Sequence, residues 1–227
     1  MGLDDEVHPV MCVLPMGWSH SPLVAQKAHE ELLEERDGAL TLPVSVSPEY
    51  RGAGMDAWGA DASFQLACIH RLCEDLIAAA DILGKRPRAI WRKIRDELPL
   101  ACLHGPEGAE QIALWRDTEL EESHRPHSHL AGIAPFDIID LDAWRDIVER
   151  SLAHWIKTGP GLWSGWCVPW ASIIHTRVGN AEAAELWLEI WERLFTNEGH
   201  GTLHDVHFSG FSLMGKGAVQ GLSLIHI

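Results

Sequence analysis

A histidine-rich stretch near the middle of the sequence, HRPHSHL, carries side chains that can do chemistry. His124, His127 and His129 fall within six residues, and imidazole nitrogens either bind metal ions or hydrogen-bond to a ligand. Their spacing does not follow the H-E-x-x-H pattern of a zinc-binding helix, and Pro126 speaks against a regular helix through them. The stretch therefore favours hydrogen bonds to the hydroxyl groups of a ligand, with Arg125 as a further donor, over a metal site.

A second residue able to do chemistry is Glu49, which follows Ser47 and Pro48. Proline fixes the backbone, so a rigid element can hold the next side chain at the mouth of a cleft. Cleavage of a glycosidic bond needs a protonated acid at the leaving oxygen and a base across the ring. Glu49 is a candidate for that acid, and the alternative is a surface glutamate in a turn. Asp61, just before the next helix, is better suited to capping that helix.

The composition narrows the class of partner. The 227 residues include 33 acidic and 18 basic ones, and the formal net charge of −15 disfavours nucleic acid and anionic membranes, which would repel such a surface. Eleven tryptophans stand against a single tyrosine. Because a tryptophan ring stacks on the C–H face of sugars as well as filling cores, this balance favours a carbohydrate partner. Trp163, Trp166 and Trp170 are candidate stacking residues, and the alternative, favoured for at least two of them, is core packing.

Other common kinds of site find no support in the sequence. The five cysteines are scattered and odd in number, which predicts buried thiols. There is neither a G-x-S-x-G nucleophile motif nor a phosphate loop, and we expect no cofactor. No apolar run reaches membrane-spanning length, and the first residues lack the basic and apolar regions of a signal peptide. Nothing in the sequence indicates an oligomeric state.

Several helices are predicted to position these residues. Apolar residues recur at three and four spacing and end at Gly or Pro, which indicates helices over residues 62–84, 88–98, 143–159, 166–178 and 181–195. The helix over 166–178 is apolar almost all round and should be buried, whereas its neighbours are one-sided. Short connections between such helices predict an all-α fold of antiparallel helix pairs in two layers, with a short β segment near residues 39–47.

The two ends of the chain differ from the middle. Residues 1–36 contain a stretch similar to the L-P-x-G-x-x-x-S-P loop of reverse transcriptases, which indicates a foreign or misassembled segment, and the alternative is an ordinary helix after a loop. Residues 222–227, LSLIHI, look like a translated sequencing adapter, as is common in metagenomic fragments. The main domain is therefore expected over residues 37–221.

Three segments, in order and at similar spacing, resemble glycoside hydrolase family 95. VSVSPEYRGAGMDAWGADASFQLACIHRLCEDLIAAADILG is similar to the family's P-S-x-S-P-E-N segment and following helix. SHRPHSHLAGIAPFDII is similar to its H-R-H-x-S-H-L-x-G-L-x-P segment. GPGLWSGWCVPWASIIHTRVGNAEAAELWLEIWERL is similar to its G-x-G-W-S-x-A-W segment and the helices around it.

The resemblance implies part of an (α/α)6 barrel and an inverting exo-glycosidase that acts on α-L-fucosides or related glycosides. It assigns Glu49 as the general acid and His124, Arg125, His127, His129, Trp58, Trp163 and Trp166 as substrate-binding residues, with no metal. The family's base is a set of asparagine side chains activated by an aspartate in a Q-x-D-G segment. Residues 1–48 contain no asparagine, and no Q-x-D-G follows, so this chain is expected to be inactive or nearly so.

Two departures from the family's motifs and one alternative function stay open. Pro126 replaces the second histidine of H-R-H, and Tyr50 replaces the asparagine after Glu49, so the sugar specificity is left undetermined. The family leads us to expect a secreted or periplasmic protein. The alternative function is a non-catalytic helical module whose histidines bind a metal or another ligand, with His204 and His207 beside Asp205 as a second half-site.

Overall fold

The computed structural model describes residues 33–196 except 37, 53 and 55. Within this range the chain is mostly helical, as predicted, with two pairs of short antiparallel strands. The elements are β1 Glu34–Arg36, β2 Ala39–Thr41, α1 Ser63–Ile82, α2 Ala89–Glu97, β3 Leu103–His104, β4 Gln111–Ile112, α3 Arg145–Thr158, α4 Cys167–Arg177 and α5 Ala181–Phe195.

All five helices that the structure describes lie where the apolar spacing predicts them. The β segment expected near residues 39–47 is confirmed only in part, because β2 ends at Thr41 and only an isolated bridge from Ser45 to Gly59 follows. The pairing of β3 with β4 was not predicted, since strands of two residues are too short to show an alternating pattern.

The first helix pair, α1 and α2, forms its own small core. Leu66, Ile69 and Cys73 of α1 pack with Ile94 of α2. They also pack with Leu40 in β2 and with Leu42 just after it. Gly84 supplies the left-handed backbone that turns the chain between the two helices, with φ +63°. The hairpin of α1 and α2 therefore holds β2, which begins the segment that carries Glu49.

A larger core surrounds the non-helical stretch between β4 and α3. Its centre is the 3-10 turn Ser128–Leu130, whose three residues are buried. Trp155 of α3 and Cys167, Ala171 and Ile174 of α4 pack around it, together with Trp115 and Trp163 from loops. The histidine-rich stretch thus crosses the interior of the molecule, with its first residues near the surface.

Helices α4 and α5 pack side by side and are joined by a tight turn. Gly179 adopts a left-handed backbone with φ +78°, and the Asn180 side chain accepts a hydrogen bond from the Ala183 amide to cap α5. Six residues of α4 are buried, which confirms the prediction of a buried helix for this stretch, although Ile173 remains exposed.

The acidic residues before α1 and α3 differ in their roles. The predicted capping by Asp61 is wrong: α1 has Ala62 at its N-cap and no side-chain cap. Asp61 instead accepts hydrogen bonds from the Leu42 amide and the Thr41 hydroxyl. Asp140, by contrast, does accept the amide hydrogens of Asp142 and Ala143 at the turn that leads into α3.

The expected domain limits fall partly outside the described residues. The segment 1–36 reaches the structure only through its last few residues, and 222–227 lies entirely beyond it, so the proposed division at residues 36 and 221 stays a prediction. Of the helices that the structure describes, none is both long enough and apolar enough to cross a bilayer.

Candidate active site

The turn that carries Glu49 has an unusual backbone. Glu49 and Arg51 both adopt left-handed conformations, with φ of +62° and +55°, and Gly52 follows at +59°. Left-handed residues other than glycine are uncommon and cost about 1 kcal/mol each, so packing must hold them. Buried Ser47 and Tyr50 flank Glu49 and anchor the turn in the core. The Glu49 carboxylate is thereby presented at the surface, with half of its side chain exposed.

Two contacts join this turn to the histidine-rich stretch. The hydroxyl groups of Ser47 and Ser128 lie 2.5 Å apart in the interior, across 81 residues of sequence. At the surface, Arg125 donates to both carboxylate oxygens of Glu49, with 2.8 Å between Nε and Oε2 and a second bond from its terminal nitrogen to Oε1. The two sequence segments that carry the predicted chemistry therefore form one site.

The bidentate pair describes one state of the proposed acid. A guanidinium group donates along two parallel N–H bonds and matches an ionised carboxylate. A general acid must carry a proton on one oxygen before it can pass that proton to a leaving group. Arg125 must therefore release at least one oxygen of Glu49 when the acid is loaded, and its side chain, 29% exposed, lies at the surface.

His124 lies directly behind the pair. Its ring is buried against Tyr50, with ring centres 5.0 Å apart in an edge-on arrangement. Burial lowers the pKa of His124 to about 4, against the opposing effects of a hydrogen bond to the Pro48 backbone and the nearby Glu49 charge. A neutral imidazole at pH 7 adds no positive charge beside Glu49, and its hydrogen bond to the Pro48 backbone connects it to the residue before Glu49.

His127 and His129 lie in the interior. The His127 ring is surrounded by Trp155, Trp163 and Trp170 at 4.8, 4.5 and 5.3 Å between centres, and its Nε2 lies 2.9 Å from the Cys167 carbonyl oxygen. Burial lowers the pKa of His127 to about 3 and that of His129 well below its ordinary value. These two rings are neutral supports of the site, and their burial argues against direct contact with a ligand.

The three tryptophans predicted to bind substrate occupy different environments. Trp163 is 1% exposed and stacks on Trp155 at 4.8 Å, so its face is not open to a sugar in this arrangement. Trp166 is partly buried and stacks on Trp170 at 5.6 Å. Trp58, in the loop after the Glu49 turn, is 50% exposed. Of these three, Trp58 offers the most accessible aromatic face.

Two residues that the sequence pattern does not single out complete the framework. Ser128 stands between His127 and His129, and no local pattern marks it as a buried hydrogen-bonding residue, although its hydroxyl lies beside that of Ser47. Tyr50, noted only as a departure from the family pattern, packs edge-on against Trp115 at 5.6 Å. Both position the Glu49 turn.

Metal-binding geometry is not found among the residues that the structure describes, where no three His, Cys, Asp or Glu side chains converge. The predicted second half-site, His204 and His207 beside Asp205, lies outside the described residues. A groove of about 1000 Å³ opens elsewhere, between α3, the end of α4 and the loop before α3. Its lining does not include Glu49 or the histidine-rich stretch, so it is separate from this site.

Comparison with known proteins adds an independent result. Residues 23–210 match the model of the Glycosyl hydrolase family 95 catalytic domain, a range that includes Glu49 and the histidine-rich stretch. The chain is also 31% identical over 181 residues to a probable alpha-fucosidase A of Aspergillus oryzae (strain ATCC 42149 / RIB 40). That match covers 71% of this chain and 24% of the fungal protein, so the matched part is about a quarter of that relative's length.

Proposed function

Because this chain belongs to glycosyl hydrolase family 95, we propose that it provides the acid side of an inverting glycosidase site for α-L-fucosides or related glycosides. The observation that carries the proposal is the surface pair of Glu49 and Arg125 on a buried framework. The name of the fungal relative, a probable alpha-fucosidase, supports the choice of sugar. The helix pairs are proposed to be part of an (α/α)6 barrel.

Each named residue has a proposed role. Glu49 donates a proton to the leaving oxygen as the glycosidic bond breaks. Arg125 holds the carboxylate in place and receives it back, ionised, after the proton has left. His124 and the exposed face of Trp58 border the sugar, and Trp166, directly before α4, is a further candidate contact. Buried His127, His129 and Trp163 support this surface from beneath.

The residues that would act as the base are not recognisable in this sequence. Inverting hydrolysis needs a base that activates water on the face of the sugar opposite the acid. The family's asparagine motif is not found in residues 1–48, and its Q-x-D-G segment is not found after Glu198. We therefore propose that this chain binds the sugar and can donate a proton, but hydrolyses glycosides slowly or not at all.

An external nucleophile provides the test. Azide replaces the activated water: it attacks the anomeric carbon from the far face, the glycosidic C–O bond breaks, and Glu49 passes its proton to the leaving alkoxide. The chain is incubated with azide and either methyl or 2,4-dinitrophenyl α-L-fucoside, and the expected product is β-L-fucosyl azide. A dinitrophenolate leaves without a proton, whereas methoxide needs one.

The variant E49Q separates the roles. We expect a loss of about 10²-fold or more with the methyl glycoside and a much smaller loss with the dinitrophenyl glycoside. Glu185, an exposed glutamate on α5, gives the matched control E185Q, which should react like the unmodified chain. Equal losses for both leaving groups, or a methyl glycoside reaction that survives in E49Q, would reject Glu49 as the acid.

A further inference from the structure

The sequence concentrates positive charge in one place. Six of the 18 basic residues fall within residues 85–95, KRPRAIWRKIR, and this stretch contains no acidic residue. The rest of the chain holds twelve basic residues against all 33 acidic ones. We call the six basic residues within 85–95 the basic strip: Lys85, Arg86, Arg88, Arg92, Lys93 and Arg95.

The structure keeps the basic strip at the surface, on α2 and in the four residues before it. Ile94 is the buried residue of this helix, and Ile90 and Trp91 pack beside it against the small core formed with α1. All the apolar contacts of the helix thus lie on one side, and the charged side chains project from the other. Lys85, Arg86, Arg88, Arg92 and Arg95 are exposed residues.

Part of this charge lies outside close ion pairs, although Arg92 attracts the nearby Asp96. Lys93 pairs with Glu35 and Glu97, and Arg95 pairs with the adjacent Asp96. Lys85, Arg86 and Arg92 form no ion pair within 4 Å with any residue that the structure describes. The Arg88 guanidinium lies over the Trp91 ring, 5.9 Å from its centre, which adds a planar group to this surface.

We propose that the basic strip is a docking site for an acidic polysaccharide, a sugar chain bearing carboxylate groups. Charge complementarity requires an anionic partner, since the strip is positive on a chain that is otherwise strongly negative. Three of the six residues lie on α2, whose nine residues span about 13 Å, and the other three lie in the four residues before it, so the partner must fit a narrow surface. A flexible single chain can follow the strip without lying against the acidic surface around it.

Broader anions fit this arrangement less well. Duplex nucleic acid and anionic bilayers carry dense charge over areas larger than one short helix, and they would meet the acidic remainder of the protein. The choice of a sugar chain over an acidic peptide rests on the proposed function. Glu49 lies in a separate turn, so the strip would hold a polymer while the Glu49 site addresses one of its ends.

Binding is tested without any catalytic readout. The probe is polygalacturonate, with neutral dextran as its uncharged counterpart, measured by calorimetry with the full chain at about 0.05 M and 0.15 M salt. The variant R86E/R92E should bind at least about tenfold more weakly. The control R145E/R193E makes the same change in net charge on exposed arginines of α3 and α5 and should lose less than about twofold.

Several results would overturn the docking proposal. These are no binding of polygalacturonate, equal losses in the two variants, or tighter strip-dependent binding of oligo-dT or anionic vesicles. The milder R86Q/R92Q, expected to show an intermediate loss, replaces R86E/R92E if the latter unfolds. The outcome is separable from that of the catalytic proposal, since R86E/R92E should still form fucosyl azide and E49Q should still bind polygalacturonate.

Discussion

Arg125 donates to both carboxylate oxygens of Glu49, although the two residues lie 76 positions apart in the sequence. Beneath this pair, the hydroxyls of Ser47 and Ser128 make a parallel connection in the interior. The Glu49 turn and the histidine-rich stretch are therefore held together at two depths. This double connection fixes the position of the Glu49 carboxylate, and it allows each layer to be tested separately.

The surface layer should matter little for stability. Because Glu49 is half exposed, we expect the ion pair to contribute about 0.2–1 kcal/mol to the free energy of unfolding. A double-mutant cycle with E49Q and R125M, followed by urea denaturation, measures this coupling. A coupling above about 2 kcal/mol would show that the pair is structural and not free to open during catalysis.

The buried histidines beneath the surface pair should make the stability of the folded chain depend on pH. His127 and His124 have folded-state pKa values lowered to about 3 and about 4 by burial, from an ordinary 6.5. Below pH 6.5 the unfolded chain takes up protons that the folded chain does not, so the free energy of unfolding falls as the pH drops from about 6.5 towards 4. Each such histidine contributes a slope of about 1.4 kcal/mol per pH unit in this window.

The variant H127Q identifies the source of this slope. Glutamine keeps a donor for the Cys167 carbonyl but does not titrate. Urea denaturation between pH 4 and 7.5 should show a lower stability at neutral pH and a slope shallower by about 1.4 kcal/mol per pH unit in acid. A variant that is destabilised equally at every pH would contradict a neutral buried His127.

Trp163 and Trp58 should respond in opposite ways to substitution. Trp163 is buried against Trp155 and His127, so W163A should lower the free energy of unfolding by about 3–5 kcal/mol. Trp58 is half exposed, so W58A should change stability by less than about 0.5 kcal/mol while weakening sugar binding. Thermal unfolding and a titration with an α-L-fucoside check both values, and a W58A variant that binds normally would remove Trp58 from the proposed site.

Asp61 should be the most important carboxylate for stability near the site. It is buried, it accepts from Leu42 and Thr41, and it pairs with Arg116. Removing it leaves these donors without their acceptor, so D61A should cost about 2–4 kcal/mol. Exposed Asp75, paired with Arg71 on α1, gives the control D75A, with an expected cost below about 0.5 kcal/mol. Similar costs for the two variants would contradict a structural role for Asp61.

The helices were predictable because each carries its signal locally. The apolar spacing of α1 and the glycines after α1, α3 and α4 define these elements within one or two residues. Glu49 and the histidine-rich stretch are likewise recognisable as candidates from their immediate neighbours in the sequence. Their meeting in one site is not, because it depends on contacts across 76 and 81 residues.

The remaining features also depend on distant partners. Asp61 looks like a helix cap in sequence, but its acceptors are used by Thr41 and Leu42, about twenty residues earlier. Residue type alone does not separate a tryptophan that stacks on a sugar from one that fills a core. Only burial distinguishes Trp163 from Trp58. Long-range contacts of this kind leave no local pattern in the sequence.

A crystal structure of this chain with a non-hydrolysable thio-linked α-L-fucoside tests the assignment of Glu49 directly. If Glu49 is the general acid, one of its carboxylate oxygens should lie within about 3.5 Å of the bridging sulfur, with Arg125 shifted to leave that oxygen accessible. A sugar bound in the groove between α3 and α4, or bound with its linkage turned away from Glu49, would contradict the account.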